Sequence, residues 1–200
     1  MAPKDSGRDW RGAFPKDRWG TARSTGFPPR FYTIRGVFSL MAADSGQKPK
    51  LLLGQDEATI DDKGRVLFSK KKRERLGEDF VMCLGDNGCL YAYPADVWEP
   101  MAAEVLSHDR TNQGRQVYTR LVLGTAVDEL NFDAQGRAVV PRMLREMAKL
   151  RDRIVLIGCG DRLEIWAEEE LEKHDVNPAS YGRERADLIN EARRQMRGDL

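Results

Sequence analysis

The chain has 200 residues, with 33 lysines and arginines against 32 aspartates and glutamates, and this length suits one domain or two small ones. No apolar run approaches the roughly 20 residues of a membrane helix, so no membrane partner is expected. Three cysteines and two histidines, without a Cys-x-x-Cys pair, argue against a zinc site and suit a reducing cytoplasm. No metal or other cofactor is expected.

Residues 1–50 differ from the rest of the chain. They carry ten Lys and Arg against four Asp and Glu, and five prolines interrupt them. No sustained period of 2 or 3.6 residues is present. We predict a disordered basic leader, with Met41 as an alternative true start. A basic arm that grips DNA is another interpretation of the same composition.

The remaining sequence contains one short motif twice. Asp61-Asp62-Lys63-Gly64-Arg65 returns 72 residues later as Asp133-Ala134-Gln135-Gly136-Arg137, each time between short apolar runs of β character. Such runs around a glycine-containing turn predict the two strands of a hairpin. Gly64 and Gly136 tolerate the positive φ of such a turn. Asp61 and Asp133 can accept hydrogen bonds from backbone amides a few residues on.

The elements after each motif also repeat, as a short helical segment, two β runs around a turn and an acidic helix start. The helical segments are 69–76 and 141–150, and the paired β runs lie within 80–93 and 154–166. The same element order therefore occurs at 51–98 and at 125–173. A unit of about fifty residues buries too little surface to be stable alone, so we expect the two repeats to share one core.

Helical stretches connect the repeats and follow them. Apolar residues recur at helical spacing over 97–107 and again over 113–123, where Gly124 is expected to end the helix. These stretches predict a helical connector at 99–124.

A last helix is predicted within 174–200, with Asn177 as its cap and Pro178 at its first position. The apolar stripe of this helix is expected to comprise Tyr181, Arg185, Leu188, Ile189, Ala192 and Met196.

Local charge distinguishes the first motif from the second. Lys63, Arg65 and all of residues 70–75 except Glu74 are basic. A patch of this density is typical of surfaces that neutralise phosphates. Arginine can pair bidentately with guanine, whereas lysines more often contact phosphates. The candidate DNA-binding residues are Lys63, Arg65, Lys70, Lys71, Arg73 and Arg137.

Two other interpretations concern the same motifs. In one, each Asp caps its turn and each Arg pairs with it, so the motif is a structural corner without a ligand. Arg137, which has fewer basic neighbours, suits this role as well as DNA contact. In the other, Asp61 and Asp133 perform acid–base chemistry, but a basic residue within four positions keeps each carboxylate ionised. No nucleophile elbow, phosphate-binding loop or metal motif is present, so an enzyme is not expected.

Two such motifs in this element order resemble the MraZ family, bacterial regulators encoded at the head of the division and cell wall gene cluster. The resemblance covers about residues 54–196 and includes Leu121-Val122-Leu123-Gly124, Val140-Pro141 and Leu163-Glu164-Ile165-Trp166. It implies an α+β fold of two SpoVT-AbrB-like halves that form a swapped-hairpin (double-split) β-barrel with connecting and C-terminal helices. Phe68-Ser69 departs from the family's usual apolar residue followed by Pro, and the leader has no counterpart.

The resemblance also implies a function. Such a protein is a sequence-specific transcriptional regulator in the cytoplasm and nucleoid that binds double-stranded DNA at short direct repeats upstream of its own operon. It assembles as a homo-oligomeric ring. The family's motif roles fall on Asp61, Arg65, Asp133 and Arg137. The alternative is an antitoxin-like or structural ring-forming interaction module without DNA readout.

Overall fold

The computed structural model describes residues 51–174, 176–179 and 182–197. The predicted leader, the alternative start at Met41 and the stripe residue Tyr181 lie outside the described residues. The elements of the described part follow in chain order.

The first repeat contributes β1 (Leu52–Thr59), β2 (Arg65–Leu67), α1 (Lys70–Leu76), β3 (Phe80–Leu84) and β4 (Leu90–Pro94). The connector consists of α2 (Ala95–Ser107) and α3 (Gln113–Leu121). The second repeat contributes β5 (Val127–Leu130), β6 (Arg137–Val139), α4 (Arg142–Met147), β7 (Arg153–Gly160), β8 (Leu163–Ala167) and α5 (Glu168–Glu172). The last helix is α6 (Gly182–Arg197).

Strands of the two repeats interleave in the sheets. The larger sheet is antiparallel and has the order β1-β7-β8-β4-β3-β5, and the smaller one consists of β2 and β6. β1 of the first repeat pairs with β7 of the second along its whole length, from Leu52 opposite Gly160 to Thr59 opposite Arg153. β4 likewise pairs with β8, and β3 with β5. The α+β class predicted from the sequence is confirmed.

The prediction of a hairpin at each motif is wrong in its strand pairing. Across the first turn only an isolated bridge joins Ile60 to Val66. β2 instead pairs with β6, so that Val66 lies opposite Ala138, and both side chains are buried. Burial explains the pairing: a three-residue strand covers its inward side chain best when the matching strand of the other repeat closes over it. The predicted pairs β3–β4 and β7–β8 are hairpins, as expected.

Aromatic residues from both repeats meet in one core. Phe68 and Phe80 of the first repeat contact Phe132 of the second, with ring centroids 5.3 Å and 4.9 Å apart. Phe68 and Phe80 are fully buried, and each such side chain contributes roughly 1.5–3 kcal/mol through its removal from water. The expectation of a shared core is confirmed.

The connector helix α3 ends earlier than predicted. It stops at Leu121, and Gly124 lies inside a following 3-10 turn rather than at a helix end. The Thr125 hydroxyl lies 3.1 Å from the carbonyl oxygen of Leu121 and 3.0 Å from that of Val122, where it can donate a hydrogen bond. A side chain that satisfies the last carbonyls favours this tightened turn.

The last helix starts later than predicted. Residues 177–179 form a turn, in which the Asn177 side-chain oxygen accepts a hydrogen bond from the Ala179 amide (2.8 Å) and the Asn177 side-chain amide donates to the carbonyl of Leu171 (3.2 Å). Asn177 therefore closes a local turn instead of capping α6.

The outer helices leave apolar surface uncovered. None of the residues that the structure describes in α2, α3 and α6 is buried. Leu106, Val117, Leu121, Ile189 and Met196 are all exposed. α2 packs Val97, Trp98 and Met101 against the core, with the Trp98 ring 5.7 Å from that of Tyr93. The exposed apolar side chains of the three helices remain available for contacts with other molecules.

Candidate nucleic-acid interface

A single carboxylate organises the first motif. Asp61 Oδ1 accepts hydrogen bonds from the backbone amides of Lys63 (3.0 Å) and Arg65 (2.8 Å). Asp61 Oδ2 accepts from Arg65 Nε at 2.7 Å and lies 2.6 Å from Arg65 Nη2. Gly64 adopts a φ of +77°, as the motif predicts. One side chain thus fixes both the turn and the direction of the arginine that follows it.

The second motif repeats this arrangement. Asp133 Oδ1 accepts from the amides of Gln135 and Arg137, both at 2.9 Å. Asp133 Oδ2 lies 2.8 Å from both Nε and Nη2 of Arg137. Gly136 has a φ of +79°. The turn chemistry expected of Asp and Gly is confirmed in both copies, and so is the Asp–Arg pair of the structural interpretation.

These contacts keep both carboxylates ionised. The hydrogen bond from the Arg65 guanidinium, helped by the backbone amide of Arg65, lowers the pKa of Asp61 to about 2. The backbone amide of Arg137 and then its guanidinium lower the pKa of Asp133. A general acid needs a raised pKa, so neither aspartate suits that role.

The strands after the two turns form one symmetric ribbon, with Val66 and its counterpart Ala138 opposite each other and facing the core. The alternation of side chains along each strand sends the neighbouring residues to the outer face. The outer face of the ribbon presents Arg65, Leu67, Arg137 and Val139. The pKa of Arg65 is raised chiefly by Asp61, and Asp133 of the other repeat adds to this effect. The two motifs therefore lie within electrostatic reach of each other.

Each turn is also bonded to the strand of the other repeat. The Phe68 amide donates to the carbonyl of Gly136 (3.1 Å), and the Val140 amide donates to the carbonyl of Gly64 (2.8 Å). Neither turn is therefore completed by its own repeat alone.

The predicted basic residues divide into two groups. Lys63, Lys70 and Lys71 are exposed, and Lys70 has only a long contact of 3.8 Å to Glu74. Arg73 is half-buried, and its Nε donates to the carbonyl of Phe68 (3.2 Å). The lysines are therefore free to move toward a ligand, whereas the guanidinium of Arg73 is engaged within the protein.

Lys72, inside the same basic run, is a structural residue. It is only 3% exposed, and its Nζ lies 3.2 Å from both Asp56 Oδ2 and the carbonyl oxygen of Gly54. Helical spacing is the signal that identifies it, since Phe68, Lys72 and Leu76 recur every four residues and all are buried.

Two apolar residues on the outer ribbon face are absent from the candidate DNA-binding residues predicted from the sequence. Leu67 is 59% exposed and Val139 is 52% exposed. The period of two along a strand puts Leu67 on the face of Arg65 and Val139 on the face of Arg137, so strand alternation could have revealed them.

The helices that follow the ribbon strands carry different surfaces. On α1 the counterparts of Met143 and Met147 are Lys71 and Arg75, each 72 residues earlier. Met143 and Met147 are 47% and 46% exposed on α4. Around the symmetric ribbon, the first repeat is thus basic where the second is apolar.

Within the described parts of the chain, no three His, Cys, Asp or Glu side chains cluster as a metal site would require. No helix among those described is long and apolar enough to cross a membrane.

Comparison with known families gives a match over both repeats. A family model described as "MraZ protein, putative antitoxin-like" matches residues 51–121 and 123–187. The chain belongs to the MraZ family. The resemblance seen in the two motifs is therefore confirmed.

The matches to individual MraZ relatives extend over most of each relative's length. The chain is 40% identical over 127 residues to the transcriptional regulator MraZ of Thermoanaerobacter sp. (strain X514), which covers 64% of this chain and 88% of the relative. It is 37% identical over 141 residues to that of Thermoanaerobacter pseudethanolicus, covering 70% and 98%. It is 34% identical over 130 residues to that of Lactiplantibacillus plantarum, covering 65% and 92%.

Proposed function

We propose that this member of the MraZ family is a transcriptional regulator that reads double-stranded DNA with the outer face of the β2–β6 ribbon. The observation that carries the proposal is the pair of arginines, Arg65 and Arg137, each held in place by an aspartate on one solvent-facing ribbon. A two-stranded ribbon fits the major groove of B-DNA. The names of the relatives, transcriptional regulator MraZ, support the same function.

The geometry of each arginine suits base recognition. Nε and Nη2 are bound by the aspartate, and the guanidinium has further N–H groups on Nη1 and Nη2. A guanidinium that is already oriented loses less conformational freedom when it binds, and it can pair bidentately with guanine O6 and N7. The exposed Lys63, Lys70 and Lys71 would then contact phosphates of the DNA backbone. Phosphate contacts fix the register of the protein on the duplex.

The apolar residues of the ribbon support the same assignment. Leu67 and Val139 stand on the face of the two arginines, and an aliphatic side chain in the major groove can contact the methyl group of thymine. Arg65 and Leu67 on one strand, with Arg137 and Val139 on the other, would read a short box of guanine and thymine.

We also propose the finer architecture and assembly that the resemblance implies. The pairing of β2 with β6 and of β1 with β7 supports two SpoVT-AbrB-like swapped-hairpin halves. The exposed apolar residues of α2, α3 and α6 support a ring-like homo-oligomer, because contacts between subunits would cover them. Several ribbons in one ring would bind repeated boxes with avidity, in the cytoplasm and nucleoid.

A second candidate is an interaction module that forms rings without reading DNA. The exposed Met143 and Met147 of α4 favour it, since flexible methionines are common on protein-binding surfaces. It predicts no difference in affinity between specific and scrambled DNA.

The decisive experiment is a binding titration with the DNA upstream of the protein's own gene and a scrambled duplex of equal length. Specific readout predicts a preference on the order of 10³ or more at physiological salt. Light scattering after size exclusion determines the assembly in the same samples. Equal affinity for both duplexes by an assembled ring would contradict DNA reading and favour the interaction module.

A further inference from the structure

Two arginines of the helices lie against the turns of the opposite repeat. A Cβ atom placed on Gly64 would lie 2.7 Å from Cζ of Arg145, which belongs to α4 of the second repeat. A Cβ atom placed on Gly136 would lie 2.6 Å from Cζ of Arg73, which belongs to α1 of the first repeat. A side chain at either glycine would displace the guanidinium, so each guanidinium lies directly on the backbone of the other repeat's turn.

The contacts are reciprocal. Arg145 follows Arg73 by 72 residues, as Gly136 follows Gly64. Each turn is thus enclosed by its own aspartate on one side and by an arginine of the other repeat on the other.

We propose that Arg145 and Arg73 are positioning residues for DNA readout and that they act crosswise. Arg145 fixes the turn that presents Arg65, and Arg73 fixes the turn that presents Arg137. This inference rests on the proposed function of the ribbon. The charge pattern suggested Arg73 as a direct DNA contact. The inference gives it an indirect role instead, in which Arg73 positions the second motif. Helix α4 of the second repeat thereby positions the motif of the first repeat.

The hydrogen bonds of the two arginines separate positioning from stability. Arg73 Nε donates to the carbonyl of Phe68, whereas Arg145 Nε is buried without a hydrogen-bond partner. An unsatisfied buried donor is unfavourable, so Arg145 occupies its place at a cost to stability. Residues of this kind are typical of functional sites, where stability and function oppose each other. Arg145→Met, which keeps the aliphatic stem, should therefore change the melting temperature little.

The DNA test is a set of double-mutant cycles on the upstream fragment, with the full chain in its assembled state. Arg145→Met alone should weaken binding roughly tenfold, toward the lower end of the loss expected for a direct base contact. Combined with Arg65→Ala it should add almost nothing, because the side chain that it positions is gone. Combined with Arg137→Ala its effect should be additive. Arg73→Met should show the opposite pattern.

Arg142→Met is the matched control. Arg142 lies on the same helix and is 84% exposed, and its Nε bonds Glu146 rather than a turn. The Arg142→Met variant removes one positive charge from a side chain that contacts neither motif. Its effect on DNA affinity should couple to neither Arg65→Ala nor Arg137→Ala.

A second measurement does not depend on DNA. Hydrogen exchange followed by mass spectrometry should show roughly tenfold faster exchange in a peptide that covers 61–65 of Arg145→Met, whose amides bond within the first turn, with 133–137 unchanged. Arg73→Met should show the reverse. A role in general stability would instead accelerate exchange in both peptides.

The outcomes separate the inference from the proposed function. Equal changes in both turns, no change in either, or additive effects of Arg145→Met and Arg65→Ala on affinity would overturn the crosswise positioning. If the wild type does not distinguish upstream from scrambled DNA, the proposed function fails. Hydrogen exchange then decides alone, and selective loss of protection in the opposite turn would still establish which arginine holds which motif.

Discussion

The two repeats have the same backbone in their motifs but different surroundings. The four aspartate contacts of the first motif recur in the second with nearly equal distances, and both glycines have the same positive φ. The helices behind them differ, because α1 exposes Lys71 where α4 exposes Met143.

This difference separates what forms the turn from what binds a partner. The aspartate, the glycine and the arginine are needed by the local geometry, so both copies carry them. The residues around them are free to differ, and only the first repeat adds a dense positive charge. We therefore expect phosphate binding to be concentrated in the first repeat, whereas the fold depends on both equally.

The largest effect should come from removing what the repeats share. Phe68→Ala should lower the free energy of unfolding by about 3–5 kcal/mol, because it leaves a cavity between Phe80 of one repeat and Phe132 of the other. Thermal unfolding followed by circular dichroism should show a single transition at a lower temperature. Leu106→Ala, on an exposed helix position, is the control and should change stability little. Two separate transitions would show that the repeats do not share a core.

The motif arginines should differ in their effect on DNA affinity. Arg65→Ala should cost roughly 1–3 kcal/mol per engaged box and reduce the preference for the upstream sequence. Arg137→Ala should cost less, because fewer basic residues surround it. Binding isotherms of both variants, after a check of the oligomeric state, measure the difference. An assembled Arg65→Ala ring with unchanged affinity and preference would leave the motif as a structural corner.

Neighbouring lysines of α1 sharpen the comparison. Lys71→Ala should weaken binding to all sequences alike and reduce the slope of log affinity against log salt by about 1 for each phosphate that the lysine no longer neutralises. Lys72→Met should leave that slope unchanged, since Lys72 is buried against Asp56. The variant removes only one partner of the ion pair and leaves Asp56 without its cation, so its melting temperature should fall. A reduced slope in Lys72→Met would place this lysine on the DNA instead.

Leu67 should contribute a smaller, base-specific effect. If it contacts a thymine methyl group, upstream DNA prepared with uracil in place of thymine should bind the wild type more weakly. One methyl group corresponds to about 0.8 kcal/mol, or about fourfold in affinity. Leu67→Ala should show a smaller difference in affinity between the two DNAs, with the remainder due to Val139. An undiminished preference for thymine in that variant would assign the methyl contact to another residue.

The last prediction concerns the pH dependence of stability that the motif carboxylates contribute. The pKa of Asp61 is lowered to about 2 in the folded chain, below its ordinary value of 3.8. Its contribution to stability is therefore complete above pH 3.8 and is lost as the pH falls toward 2. Asp133, whose pKa is shifted in the same direction, should add to this loss. The stability difference between the wild type and Asp61→Asn, measured by denaturant unfolding, should stay constant from pH 7 to pH 5 and shrink below pH 4. A difference that shrinks already above pH 5 would contradict the lowered pKa.

Local chemistry could be predicted from the sequence, and long-range pairing could not. The contacts of Asp61 lie within five residues, so residue type and spacing were sufficient. The partner of β2 could not be identified in this way, since the pattern of Arg65–Leu67 fits a local hairpin as well as a strand of the other repeat. The burial of Val66 against Ala138 decides between them, and it depends on residues 72 positions apart.

The contacts of Arg73 and Arg145 with the turns could not be predicted from the sequence, for another reason. The positive φ of Gly64 already accounts for a glycine in the motif, so nothing indicated that Arg145 also requires one. By charge Lys72 belongs to the basic run, although its helical position matches that of the buried Leu76. Its ion partner, Asp56, lies on β1, and the place of β1 in the sheet is set by β7.

The pairing of β2 with β6 has a consequence during protein synthesis. A nascent chain that has released the first repeat exposes β2 without a partner until the 72 residues to the second motif have followed. At about 5–20 residues per second this delay lasts roughly 4–14 seconds. Unpaired strand edges are prone to wrong associations, so the interval is the vulnerable stage of biogenesis. A fragment that ends at residue 124 should therefore not distinguish upstream from scrambled DNA. The ribbon that we propose to read DNA forms only after the second motif, well beyond the midpoint of the chain, has been translated.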